Sequence, residues 1–269
     1  MKAAWFETFG TAQDVLHIGE QAKPEAGPGE VLVKMKTSGV NPSDVKKRGG
    51  SIPTLLDAGL VIPHSDGAGV IEAVGEGVDA TRVGQRVWVY QAQYARQLGN
   101  AADYVALDEN RAVFLPDTCS FAEGACLGIP AMTAHRGVFA DGPVKDKLIL
   151  ITGGAGRVGF YAIQWAKIGG ATVVATASNE ADHNLCKELG ADFVINHREG
   201  NWSEALLTAT QGRKVDRVVD VEFGGNLPEV LKCINIGGYI ATYASMSVPQ
   251  PQLPFFQMMY LDLTIRMVI

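Results

Sequence analysis

Apolar and polar positions along this chain follow two rhythms. Up to about Phe121 the runs are short and the chain reads as β-rich. Glu30–Thr37 (EVLVKMKT) alternates apolar and polar residues, as a strand with one buried face does. Gly69–Val74 and Arg86–Tyr90 are further short strands between turns of Gly, Pro and Asp. Gly75, Gly77 and Gly84 punctuate a tight hairpin-like region, and together these features predict a compact, irregular, barrel-like domain over residues 1–121. From about Ala122 the period changes. Phe121–Ala140 reads as helix, followed by strand Lys147–Thr152, helix Phe160–Ile168, strand Thr172–Ala177 and helix Ala181–Leu189. Strand Phe193–Ile195, a helix near Ser203–Thr210, strand Val215–Val221, a helix near Leu227–Ile234 and strand Gly238–Tyr243 continue the alternation. Parallel strands need crossover connections, so this pattern predicts an α/β unit over residues 122–269, with helices on both faces of a parallel sheet. Val248–Phe256 (VPQPQLPFF) reads as an extended connection and Leu263–Ile269 as a last strand.

Composition narrows the function class. Of 269 residues, 47% are hydrophobic, enough to fill the core of one large or two medium domains. A net charge of −6 argues against nucleic acid or an anionic membrane as the main partner. The start, MKAAWFETFG, lacks the apolar stretch of a signal peptide, and no run reaches the length of a membrane span. Cys119, Cys126, Cys186 and Cys233 are scattered, with no C-x-x-C pair, so neither a zinc knot nor a disulfide framework is indicated. These features are those of a cytoplasmic protein with reduced thiols.

The densest chemical signal is Lys147–Gly159 (KLILITGGAGRVG), where an apolar strand meets a glycine turn and a helix follows. Gly154, Gly156 and Gly159 fit G-x-G-x-x-G in the setting that gives the pattern meaning. The turn Gly153, Gly154, Ala155, Gly156, Arg157, Val158 and Gly159 lets the backbone approach a pyrophosphate, and free N–H groups at the helix start favour its charge. In this fingerprint a carboxylate at the end of the second strand grips the ribose hydroxyls of NAD. Here that strand ends in Ala177-Ser178-Asn179, whose neutral side chains leave room for a 2′-phosphate and tilt the choice to NADPH. His183, His197 and Arg157 are the cations within reach of that phosphate, and each histidine also fits a plain exposed loop.

Several blocks in order resemble the medium-chain dehydrogenase/reductase superfamily, and within it the zinc-independent, zeta-crystallin-like NADPH:quinone oxidoreductases. They are MKAAWFETFG, Gly29–Gly50 (GEVLVKMKTSGVNPSDVKKRGG), Ile62–Val78 (IPHSDGAGVIEAVGEGV), Gly128–Val138 (GIPAMTAHRGV), ITGGAGRVG and Glu188–Asn196 (ELGADFVIN). The resemblance implies a GroES-like, β-rich catalytic domain at 1–121 and a Rossmann, doubly wound dinucleotide-binding domain at 122–269. Zinc enzymes of that superfamily carry a Cys-His pair where this chain has Asn41-Pro42. Ser65 stands in place of a ligating histidine, and the lobe of four cysteines is replaced by Gln91–Asn100. His64 and Asp66 alone do not complete a ligand set, so no metal is expected.

The implied activity is direct hydride transfer from NADPH to a quinone or an α,β-unsaturated carbonyl, in a cleft between the domains. By resemblance, Asn41 lies near the nicotinamide, Asp44 orients a donor or water, and Lys46 takes a place where relatives have a tyrosine. That change leaves the proton donor open; Lys46 or Arg48 fits stabilisation of an enolate, and both also fit a plain solvated basic face. Thr133 matches a position beside the nicotinamide, His135 packs or caps its helix, and Tyr243 borders the cofactor. Two alternatives stay open: a reductase of another activated alkene, such as an enoyl thioester or haloacrylate, and an NADPH-binding protein without turnover. The strand near 263–269 resembles one that pairs with its twin in a homodimer. Relatives continue for several dozen residues beyond it, so the chain is expected to lack their C-terminal segment.

Overall fold

The computed structural model describes residues Met1–Ile269, which divide into two compact units, Met1–Ile129 and Pro130–Ile269. The division falls later than the expected 121/122 boundary. The reason is that α3 (Phe121–Gly124) packs on strands of the first unit.

The first unit opens with β1 (Lys2–Trp5), α1 (Ala12–Val15) and β2 (His17–Glu20), the two strands forming an antiparallel pair. Its main sheet is antiparallel, in the order β6 (Tyr104–Asp108), β3 (Glu30–Gly39), β4 (Asp66–Val74), β5 (Arg86–Val89), β7 (Ala112–Phe114). The alternation in β3 and its neighbours buries Val31, Val33, Ile71, Val87, Val89, Val105 and Leu107 in one cluster. Between β3 and β4 runs α2 (Pro42–Arg48). Asn41 precedes it as N-cap, and Pro42 sits at its first position, where a missing N–H costs nothing.

The second unit holds a six-stranded, all-parallel sheet. Its order is β10 (Phe193–Asn196), β9 (Thr172–Ala177), β8 (Leu148–Ile151), β11 (Val215–Asp220), β12 (Ile234–Thr242), β13 (Thr264–Met267). Alternate residues of β8 face opposite cores. Ile149 and Ile151 pack with α4 (Met132–Phe139), α5 (Arg157–Ile168) and α6 (Glu180–Glu188), whereas Leu148 and Leu150 pack with α7 (Trp202–Ala209) and α8 (Phe223–Cys233). Strand order reverses direction beside β8, the place where doubly wound sheets bind ligands. A short α9 (Phe255–Tyr260) starts inside the stretch expected to be extended, then leads into β13.

The single helix expected over Phe121–Ala140 is broken. Leu127–Ala131 forms an irregular turn, with Gly128 at φ −63° and ψ −109° and Pro130 inside it. Pro130 lacks an N–H, and the amide of Ile129 is taken by the Asp66 carboxylate at 2.8 Å. A Cβ on Gly128 would lie 2.1 Å from Asp66 Oδ1, so only glycine fits there.

Candidate active site

Two polar constellations stand out, one in each unit. In the second, the chain leaves β8, turns through Gly153–Gly156 and enters α5. The turn is pinned to β9: Gly153 N–H donates to Thr176 Oγ1 at 2.9 Å, and Gly154 N–H to the Thr176 carbonyl at 2.9 Å. A Cβ on Gly154 would meet Cys186 Sγ at 2.7 Å, and one on Gly159 would meet the Gly153 oxygen at 2.2 Å. The close approach of turn, helix and strand therefore demands glycine. No side chain caps α5 at Gly156, so the first-turn N–H groups at Arg157, Val158 and Gly159 are left for an external acceptor. Ala155 and Val158 are half-buried against the core, while Arg157 is exposed. This cradle fits a dinucleotide diphosphate.

Around it, the expected residues divide. Ser178 follows β9 with its side chain half-buried. Asn179 is committed to capping α6: its Oδ1 accepts from Asp182 N at 2.9 Å and its Nδ2 donates to Asp182 Oδ2 at 2.8 Å. His183 and His197 are both exposed. Thr133 is half-buried on α4, and His135 meets Trp165 edge-on and Phe139 at a tilt. Tyr243 follows β12; burial, and then Asp220, push its hydroxyl pKa up. Asp220 ends β11, buried, where Thr152 Oγ1 donates to it at 2.7 Å and Asn226 Nδ2 at 2.8 Å.

The first unit gathers Asn41, Asp44, Lys47, His64 and Asp66. Asn41 is buried; its N–H donates to Asp44 Oδ2 at 2.8 Å and its Nδ2 to Asp66 Oδ2 at 2.8 Å. The Asn41 side chain also accepts from the Asp44 backbone N–H in a capping box, and one N–H of its Nδ2 remains uncommitted. Asp66 is fully buried. Desolvation raises its pKa to about 6, against the bonds from Ile129 and Asn41 that lower it. Asp44 is also raised by burial. Oδ1 of each acid has no partner. His64 has a φ of +80°, a strained value for a side-chain-bearing residue, and its Nδ1 lies 2.7 Å from Ser38 Oγ. Burial lowers its pKa while Asp44 opposes that.

The two neighbouring lysines of α2 differ in setting. Lys46 is exposed and makes no ion pair, whereas Lys47 is half-buried and faces Asp44 and Asp66. Arg48 is spent on the Gly10 carbonyl at 3.3 Å. The phase of α2 is the cause: Lys47 stands three residues after Asp44 and shares its face, and Lys46 does not. The missed signal was Asn41-Pro42, a cap followed by a first-position proline that fixes where the helix starts.

Models of two families match this chain. One, described as "Alcohol dehydrogenase GroES-like domain", spans residues 27–128; the other, "Zinc-binding dehydrogenase", spans 158–269. The rat quinone oxidoreductase is 32% identical over 241 residues, 89% of this chain and 72% of that protein. The spinach chloroplastic quinone-oxidoreductase homolog is 35% identical over 88% of this chain and 74% of its own length. A tomato 2-methylene-furan-3-one reductase is 34% identical over 76% of this chain and 54% of its own length. A mycobacterial structure complexed with NADPH superposes at a TM-score of 0.87 with 28% identity, covering all of this chain and 82% of the other. This chain belongs to the medium-chain dehydrogenase/reductase superfamily, with its GroES-like and Rossmann-type units, and is an oxidoreductase of that class.

Zinc does not fit the donor set. Asn41 and Ser65 offer no thiolate or imidazole, His64 Nδ1 is bonded to Ser38, and Asp66 Oδ2 is held by Asn41 and Ile129. No three His, Cys, Asp or Glu side chains are gathered to hold a metal ion.

Proposed function

We propose that this chain carries hydride from NADPH to a quinone or an α,β-unsaturated carbonyl, without a metal. The observation that carries the reading is the glycine cradle at the uncapped start of α5, built so tightly that Gly154 and Gly159 admit no side chain. Bound there, NADPH supplies a hydride from the nicotinamide. The chain's own residues bind, orient and supply charge. The amides of the α5 first turn take the diphosphate. The end of β9 presents Ser178 and Asn179 rather than a carboxylate, which suits a 2′-phosphate. Asn179, used as a helix cap, acts there through its neutrality; the exposed Arg157 guanidinium and the exposed His183 and His197 rings are proposed to meet the phosphate.

Asn41 keeps one Nδ2 hydrogen for the nicotinamide carboxamide or the acceptor. Thr133 and Tyr243 are proposed along the nicotinamide, and Asp44 as the residue that orients the Asn41 backbone. The named activities of the rat, spinach and tomato relatives support reduction of a conjugated carbonyl. The dimer is part of the same proposal. β13 is an edge strand with one free side, and Asp141 grips it through three bonds from Arg266, so its position is fixed. The test is oxidation of NADPH against NADH, each with a panel of quinones, enones, enoyl thioesters and haloacrylates. Turnover with NADPH and a quinone or enone supports the reading; tight NADPH binding with no turnover on any acceptor refutes it.

A further inference from the structure

Reduction of a carbonyl-bearing acceptor requires a proton for its oxygen as well as a hydride for its carbon. The first unit holds one side chain arranged to give it. Lys47 is half-buried near the end of α2, and an ammonium carries three N–H donors. Lys47 Nζ lies 3.3 Å from the Gln93 carbonyl and 3.2 Å from Gln93 Oε1. Its third N–H has no acceptor in the protein. Gln93 is itself buried, at 2% exposure, and its Nε2 lacks a partner, as does the buried hydroxyl of Ser43. A fixed cation with a spare donor, beside an amide with a spare N–H, matches an oxygen on which negative charge develops.

We propose that Lys47 donates a hydrogen bond, and then a proton, to the carbonyl oxygen of the acceptor, with Gln93 holding the ammonium in position. This rests on the reductase reading above. In an enone, hydride from the reduced nicotinamide adds two electrons and one hydrogen at the β-carbon. The carbon–carbon π pair moves to form a new carbon–carbon double bond next to the carbonyl, and the carbonyl π pair moves to oxygen. That oxygen takes a proton from Nζ; the N–H bond breaks, its pair stays on nitrogen, and water reprotonates the amine. The acceptor thereby gains one hydride and one proton. Asp44, on the same helix, and Asp66, on β4, are the charged groups facing Lys47. They hold its proton more firmly, while burial lowers its pKa and eases release. Lys46, exposed and without an ion pair, has no such setting.

The experiment compares Lys47→Met and Lys47→Arg with the unaltered chain. It reads steady-state NADPH oxidation against one quinone and one enone across pH, NADPH affinity by fluorescence, and thermal unfolding. Lys47→Met is expected to lower kcat about 100-fold, the scale of a lost general acid, with NADPH affinity within about twofold. Lys47→Arg keeps the charge but cannot release a proton, so its kcat should also fall, and the alkaline fall of kcat expected with lysine should be absent. Lys47→Met working within about threefold of the unaltered chain, or Lys47→Arg retaining the alkaline fall, overturns the inference. If Lys47→Met fails to fold, the Lys47→Arg profile decides alone. An unaltered chain that oxidises no NADPH with any acceptor overturns the reductase reading and this inference with it. An active chain indifferent to both variants overturns this inference only.

Discussion

Asp66 shows how one buried carboxyl shapes this protein at the scale of a single residue. Its folded pKa of about 6 lies above the usual 3.8 because burial penalises the charge. A raised acid favours the fold while protonated: that contribution is complete below about pH 4 and is lost as pH climbs through about 6. A shift of that size corresponds to about 3 kcal/mol. Urea unfolding from pH 4 to pH 7 should show Asp66→Asn gaining on the unaltered chain by roughly that amount as pH rises; parallel curves would contradict it. Gly159 is the second such residue. Gly159→Ala drives a methyl to 2.2 Å from the Gly153 oxygen, so it should cost about 2 kcal/mol of stability and lower NADPH affinity at least tenfold. Wild-type affinity in that variant would mean that the turn tolerates what its geometry forbids.

Elements place these residues, and α5 is the informative one. Its start is a helix terminus without a capping side chain. Gly156→Asp supplies one, and the built Cβ meets the Gly153 backbone oxygen at 3.1 Å, a tight contact that needs a shift of a few tenths of an ångström. The expected result is a melting temperature equal to or above that of the unaltered chain, with NADPH affinity reduced more than tenfold by the new negative charge. Affinity left intact would place the diphosphate elsewhere. This element was legible in the sequence because its signals are local: an apolar strand, a glycine turn and a 3.6-residue period lie within one short stretch. The Thr172–Ala177 strand was legible for the same reason. The break at Leu127–Ala131 was not, because it depends on Asp66, far away in sequence, claiming the Ile129 amide. Helical periodicity carries no trace of such a tertiary bond. Lys47 was hidden more shallowly, since a cap and a proline at Asn41-Pro42 contained the phase of α2.

At the scale of the whole molecule, the sheet of the second unit ends in β13, and Phe255, Phe256, Tyr260, Met267 and Ile269 remain exposed around it. An open strand edge with apolar neighbours is a pairing surface. The proposed homodimer therefore predicts a species of twice the 28.7 kDa chain mass in light scattering at micromolar concentration; a monodisperse monomer would rule it out. In the proposed function, the glycine cradle of one unit binds the nucleotide and the buried acid–amide–lysine cluster of the other manages a proton. The central claim is that the first of these tasks serves hydride transfer from a 2′-phosphorylated nicotinamide to a conjugated carbonyl. Its most direct test is kcat/KM for NADPH and NADH with one quinone, measured in chelator-treated protein. The account predicts turnover that survives the chelator and favours NADPH by about tenfold or more. A rate that vanishes until zinc is restored, or that favours NADH, would contradict it.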